Sequence, residues 1–141
     1  MGRRMVITIA LISILVLSAC STQGDHQLSS TEQAQVQGYS EPMVDNLLSA
    51  LKNNDYQSFS KNFDPTLRAI LNLAAFTDLL NKVNSKIGNC SSRTIGDMAQ
   101  SKGMIVVNYT LNCDNNRTVP MQVSFKPAEP HDILAFTFPN Q

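Results

Sequence analysis

The sequence predicts an α+β domain in which helices come first and an antiparallel sheet follows. Three observations carry this. Apolar residues recur with a helical spacing from Met43 to Ile87. After Gly88 the spacing changes to strict alternation. The alternating segments are joined by short turn sequences, which suit hairpins and not parallel crossovers. Segregated helices and strands of this kind form N-terminal helices packed on one face of a curved antiparallel sheet, here of about four strands.

Ser40-Glu41-Pro42 reads as a helix start, with a capping residue, a first-turn acid and an early proline. Met43, Val44, Leu47, Leu48 and Leu51 then share one face. Asn53-Asn54 ends this helix. Asp55 can cap a short one whose Tyr56, Phe59 and Phe63 lie on one side. Asp64-Pro65 is a further start, followed by Leu67, Ile70 and Leu71. Phe76, Leu79, Leu80, Val83 and Ile87 make the last stripe, and Gly88 stops it. Cys90–Ala99 is a weaker strand, with Gly96 inside it as the mark of a bulge or a close backbone approach. Three clearer strands carry Ile105, Val107, Tyr109 and Leu111; then Val119, Met121, Val123 and Phe125; then Leu134, Phe136 and Phe138. Turns are expected at Ser101-Lys102-Gly103, Asp114-Asn115-Asn116 and Pro127–Asp132.

The N-terminus has a different logic. Arg3 and Arg4 precede an apolar run, Met5–Leu17, shorter than a membrane span requires. Leu17-Ser18-Ala19-Cys20 follows. A charged head, an apolar core and small residues at its end define an export signal. The Leu-Ser-Ala-Cys box resembles the bacterial lipoprotein signal. That resemblance implies cleavage after Ala19 and a diacylglyceryl group on Cys20, so the membrane is a partner through that lipid. Ser21, in place of Asp, resembles the class sent to the outer membrane of two-membrane bacteria, facing the periplasm. In a cell with one membrane the protein would sit on its outer face. An uncleaved anchor or an ordinary secretory signal is the alternative. Ser21–Tyr39 is rich in Ser, Thr, Gln and Gly, and such a composition reads as a flexible tether that includes a solvated His26. The expected organisation is therefore a signal at 1–19, a lipidated cysteine and tether at 20–39, and one domain at 40–141.

Removing 19 residues from 141 leaves 122, enough for one domain and too few for two. Two of the 11 basic residues leave with the signal, so 9 face 11 acidic ones. That balance excludes the concentrated basic surface that nucleic acid demands.

Cys90 and Cys113 remain in the exported part. The compartment is oxidising, so the pair reads as a disulfide. The midpoint of the two positions falls between Ser101 and Lys102, where the turn residues lie. The cysteines would then stand directly opposite, at roughly 4.4–6.8 Å between Cα atoms. A redox or metal pair is the alternative, but no CxxC motif and no nearby His supports it. In this register Cys90, Ser92, Thr94, Gly96 and Met98 share a face with Cys113, Leu111, Tyr109, Val107 and Ile105. Ser92 and Thr94 beside Tyr109, with Tyr56 from the helices, form a candidate pocket; the alternative is an edge strand whose polar side chains reach solvent.

The element order resembles the nuclear-transport-factor-two-like, cystatin-like cone. Leu47-Leu48, Leu51, Asp55-Tyr56, Phe59 and Phe63-Asp64, the helix ending at Gly88 and the closing apolar strand are similar to a family of short secreted or lipid-anchored domains of unknown function with that fold. The resemblance spans about Glu41–Phe138. It implies a helix-covered curved sheet and supplies no catalytic residue.

No nucleophile-plus-base arrangement, phosphate-binding glycine loop or metal-ligand spacing is present in the sequence. No cofactor or metal is expected. His131 sits in Pro130-His131-Asp132, a solvated turn on this reading. Asn89, Asn108 and Asn116 each begin an Asn-x-Ser/Thr sequon, expected to arise by chance in so Asn-rich a chain. The expectation is a lipid-anchored, non-enzymatic envelope protein that binds a partner protein or small ligand. The alternatives are a cone-fold enzyme or lipid carrier using a cleft around Tyr56, Thr94 and Tyr109, and a purely structural envelope component.

Overall fold

The computed structural model describes residues 24–140. The signal, Cys20 and Ser21 lie outside the described residues. The fold is α+β, with four helices and a five-stranded antiparallel sheet.

The first departure from expectation lies in the supposed tether. His26–Gln27 forms a short strand, β1, and Ser30–Asn53 forms one long helix, α1. Ser29 caps α1 reciprocally with Glu32: its backbone N–H donates to Glu32 Oε2 at 2.8 Å, and its Oγ accepts from the Glu32 N–H at 3.4 Å. Leu28 and Val36 are buried and extend the apolar stripe of Val44, Leu47 and Leu51 backwards. The segment from His26 to Tyr39 is thus part of the domain. Its Gln, Glu and Ala residues favour helix, and a few buried contacts suffice to hold a polar stretch that composition alone marks as loose.

Ser40-Glu41-Pro42 consequently lies inside α1 and is no helix start. Pro42 removes one helical hydrogen bond, whose acceptor would be residue Gly38. An interior proline costs roughly 3 kcal/mol, and the fully buried Ser40, Val44 and Leu47 around it offset that cost. Asn54 ends α1 in the left-handed conformation, at φ 54°.

The next two starts are where the sequence puts them, and the last helix, for which it named no start, begins after Asn72. Asp55 caps α2 (Tyr56–Ser60), Asp64 caps α3 (Pro65–Ile70), and Asn72 caps α4 (Leu73–Lys86). Gly88 follows α4 at φ 78°. Arg117 donates to the carbonyls of Lys86 and Ile87, closing the helix end that lacks internal partners.

The strands β2 (Cys90–Ser101), β3 (Met104–Cys113), β4 (Arg117–Phe125) and β5 (Ile133–Thr137) follow in order, and the sheet order is β1-β2-β3-β4-β5. The fifth strand is β1, paired with the end of β2. The β2–β3 turn is Lys102-Gly103, with φ of 50° and 75°. Two residues at positive φ match the right-handed strand twist, and the glycine takes the second at no steric cost.

Cys90 does face Cys113, but the register between them and the turn is not constant. It shifts between Cys90 and Ser92 and again between Ile95 and Met98, around Gly96. The first shift reverses the faces of the intervening residues. Arg93 and Ile95 pair with Leu111 and Tyr109, whereas Ser92 and Thr94 pair with Asn112 and Thr110. Along β3 and β4 one side is buried: Ile105, Val107, Tyr109, Leu111, Val119, Met121, Val123 and Phe125. The other side is polar, with Asn112 donating to Ser92 and Gln122 to Asn108.

One hydrophobic cluster draws on helices and strands together, including Val44, Leu47, Phe59 and Phe76 with Val107, Val123, Phe125 and Ile133. Tyr39 of α1 meets Phe125 of β4 edge to face, with ring centres 5.6 Å apart. The α2–α3 link is tied to β5 by Ile133 N–H to the Asn62 carbonyl and Asp64 N–H to the Ile133 carbonyl.

Candidate functional site

Two adjoining cavities lie where α4, the middle of α1, the start of β2 and the residues after β5 meet, and Val83, Ile87 and Phe138 line both. Helical spacing places Leu79, Lys82, Val83 and Lys86 along one side of α4. The same spacing brings Asp45, Leu48, Ser49 and Lys52 of α1 to the first cavity, of about 260 Å³. That cavity is mixed in character, with Arg93, Asp45 and Lys52 on its rim. The second, of about 350 Å³, runs between α4 and β5 and is lined by Leu71, Leu79, Phe136 and Phe138, with Lys82 and Lys86 beside them.

Arg93 organises the wall of the first cavity. Its Nη1 donates to both carboxylate oxygens of Glu41 at 2.7 Å, and its Nη2 and Nε donate to Asp45 Oδ1 at 2.7 and 3.0 Å. Nη2 also reaches the Glu41 carbonyl at 3.2 Å. The guanidinium carbon stands 5.2 Å from the Tyr109 ring centre. Burial disfavours the charge on Arg93, but the two carboxylates outweigh it and raise the pKa above its ordinary value. The hydroxyls of Tyr109 and Ser40 are both buried and lie near each other, short of a well-formed hydrogen bond. Burial pushes the Tyr109 phenol up to about 12. Arg93 was not among the residues singled out by sequence. A signal existed: Glu41 and Asp45 are one turn apart, and like charges at that spacing repel unless a cation lies between them.

The residues proposed as a pocket are not brought together. Tyr109 is in the core. Tyr56 is half-buried against Phe76, with ring centres 5.6 Å apart. Thr94 is exposed on the polar side of the sheet, opposite Thr110. Ser92 is exposed on that side too and only touches the rim of the first cavity. The register shift after Cys90 is the reason. Ser92 and Thr94 reach solvent, as one of the two readings expects, from a stretch of β2 that β1 does not pair.

Cys90 and Cys113 are joined in a disulfide. Their Cα atoms are 3.7 Å apart, nearer than the range expected of them. Asn89 and Asp114 exchange two further hydrogen bonds beside the bridge, so the end of the hairpin is held at several points. His131 departs from the solvated role expected of it: it is half-buried and stacked on Tyr39, with ring centres 4.0 Å apart and planes within 9°. His26 is exposed. The sequon residues Asn89, Asn108 and Asn116 are exposed as well. Among the described residues no group of three His, Cys, Asp or Glu is placed to hold a metal ion. Among them, also, no helix is long and apolar enough to cross a membrane.

The second cavity is aliphatic, aromatic and cationic; the first adds neutral polar groups, among them Ser49, Asn84 and Asn89, and its Asp45 carboxylate is already engaged by Arg93. Such a lining holds apolar or anionic groups. No family model matches the chain, and no characterised protein or solved structure matches it either.

Proposed function

We propose that this is an exported, lipid-anchored envelope protein whose domain binds a ligand or partner through the paired cavities around Phe138, without catalysing a reaction. The anchor is Cys20, and Ser21 directs the protein to the outer membrane where there are two membranes. The α+β domain takes the cystatin-like arrangement, with its helices closing the apolar face of the sheet. The observation that supports binding most directly is the cleft itself: Val83, Ile87 and Phe138 sit between a mixed cavity and a more apolar one, each large enough to receive part of a small molecule or a few side chains. Membrane anchoring leaves such a cleft free to meet a partner in the envelope. The apolar half of the cleft also favours a second reading, a carrier of small lipids.

The test uses a photo-crosslinking residue at exposed Asn84, beside the first cavity, with Thr110 on the polar side of the sheet as control. Adducts in the intact envelope from position 84 and not from 110 are expected. Equal adducts at both positions, or none at either, would overturn the assignment. For the anchor, Cys20→Ser should leave an unprocessed, unlipidated precursor, and normal maturation of that variant would refute it.

A further inference from the structure

We propose that the groove between α4 and β5 binds a free fatty acid, its chain lying between Leu79, Val83, Phe136 and Phe138 and its carboxylate meeting Lys82 and Lys86. This deepens the binding reading above and rests on it. The size of the groove, its walls and the charges beside it carry the proposal.

The groove encloses about 350 Å³, within the range of small-ligand sites. Its walls are aliphatic and aromatic, as an alkyl chain requires. Lys82 and Lys86 stand one helical turn apart on the same side of α4, and neither is in a salt bridge among the described residues. Asp78, one turn earlier on α4, is exposed and makes no salt bridge with Lys82. The groove lining itself includes no carboxylate.

One feature of α4 would oppose an anion here. The end of a helix carries partial negative charge on its free carbonyls. In this chain Arg117 donates to the carbonyls of Lys86 and Ile87, so a third cation covers that end.

The strongly exposed apolar side chains are also too few for a protein face. A stable protein interface needs about 800 Å² from each partner. Here the large hydrophobic side chains left exposed among the described residues are Ile70 and Leu73, both at the α3–α4 corner. Leu71, Leu79, Val83, Phe136 and Phe138 are only partly buried, and they line the groove.

The test is photolabelling of the full chain in membrane vesicles with a diazirine-bearing dodecanoate, followed by peptide mapping. Label should concentrate on Leu79–Lys86 and Phe136–Phe138. Unlabelled carboxylates should compete more strongly with length, by about fourfold per methylene until the groove is full. The double change Lys82→Gln with Lys86→Gln should weaken labelling by about fivefold, the sum of two exposed ion pairs. Leu79→Lys, with an unchanged circular dichroism spectrum, should remove it. Label spread evenly over the surface would overturn the proposal. So would dodecanol competing as well as dodecanoate, or a second copy of the chain cross-linked through the groove. Adducts from position 84 without fatty-acid label would refute this ligand and leave the binding reading intact; absence of both would refute both.

Discussion

Replacing Arg93 with Ala tests the register of the sheet and the link between β2 and α1 together. The magnitude can be assembled from the contacts. The bidentate pair with Glu41, whose side chain is 38% exposed, is worth about 1–1.5 kcal/mol after allowance for solvent. Asp45 is 69% exposed, so its share is about 0.5 kcal/mol. The guanidinium over Tyr109 adds about 0.5 kcal/mol. Arg93→Ala should therefore destabilise the domain by about 2–2.5 kcal/mol. Arg93→Lys keeps the charge but loses the fork and should cost about half as much. The assay is urea unfolding, where the midpoint should fall by about 1–2 M with the slope unchanged. The Asp45 share should fade as salt is raised, and the Glu41 share should persist. Thr94→Ala is the control, because Thr94 faces solvent and should change stability by less than about 0.5 kcal/mol. Were Thr94→Ala the more damaging change, or Arg93→Ala within about 0.5 kcal/mol of wild type, the observed register would be refuted.

Other consequences can be measured on the same material. Changing Cys90 and Cys113 to Ala removes a bridge across 23 residues and should cost about 3 kcal/mol on the chain-entropy account; free thiols at both positions in non-reducing peptide mapping would contradict the bridge. Ser29→Ala breaks the reciprocal cap of α1 and should cost about 1 kcal/mol, with faster amide exchange in the first turn, whereas a flexible tether would show no change. The Glu32 carboxyl is held below its ordinary value by hydrogen bonds from Ser29, so the contribution of that cap should be complete above the usual carboxylate range and should be lost as pH falls below it, through the lowered folded-state value. Burial raises the phenols of Tyr39 and Tyr109 to about 12, against 10.0 for a free tyrosine. The neutral forms favour the fold, so their contribution is complete below pH 10 and is lost as pH rises towards 12; ultraviolet titration showing all tyrosines ionising together near pH 10 in the folded protein would refute the burial.

The α+β class, the starts of α2 and α3, the stop at Gly88, β3, β4 and the cysteine pairing were legible in the sequence; the last strand was found, but it buries Ile133 and ends at Thr137, leaving Phe138 beyond it. Each rests on local chemistry: an Asp that caps, a glycine that tolerates positive φ, or an alternation that only a one-sided strand needs. The misreadings also have physical causes. Local signals at Ser40-Glu41-Pro42 resembled a helix start, but the buried Val36 upstream carries the helix through. His26–Gln27 is too short and polar to announce a strand, and becomes one because β2 offers it an edge.

The candidate site depended most on tertiary structure. Period-two reasoning assigns every residue of a strand to a face from one anchor, so a single bulge reverses all those beyond it. The shift after Cys90 turned Ser92 and Thr94 to solvent and Arg93 to the carboxylates of α1. The groove likewise joins Val83 of α4 to Phe136 and Phe138 near the chain end, more than 50 positions apart. Local propensity governs which elements form, and the sequence by itself determined most of those. Which side chains meet was decided by the register of the sheet and the placement of α4, since both come from contacts distant along the chain.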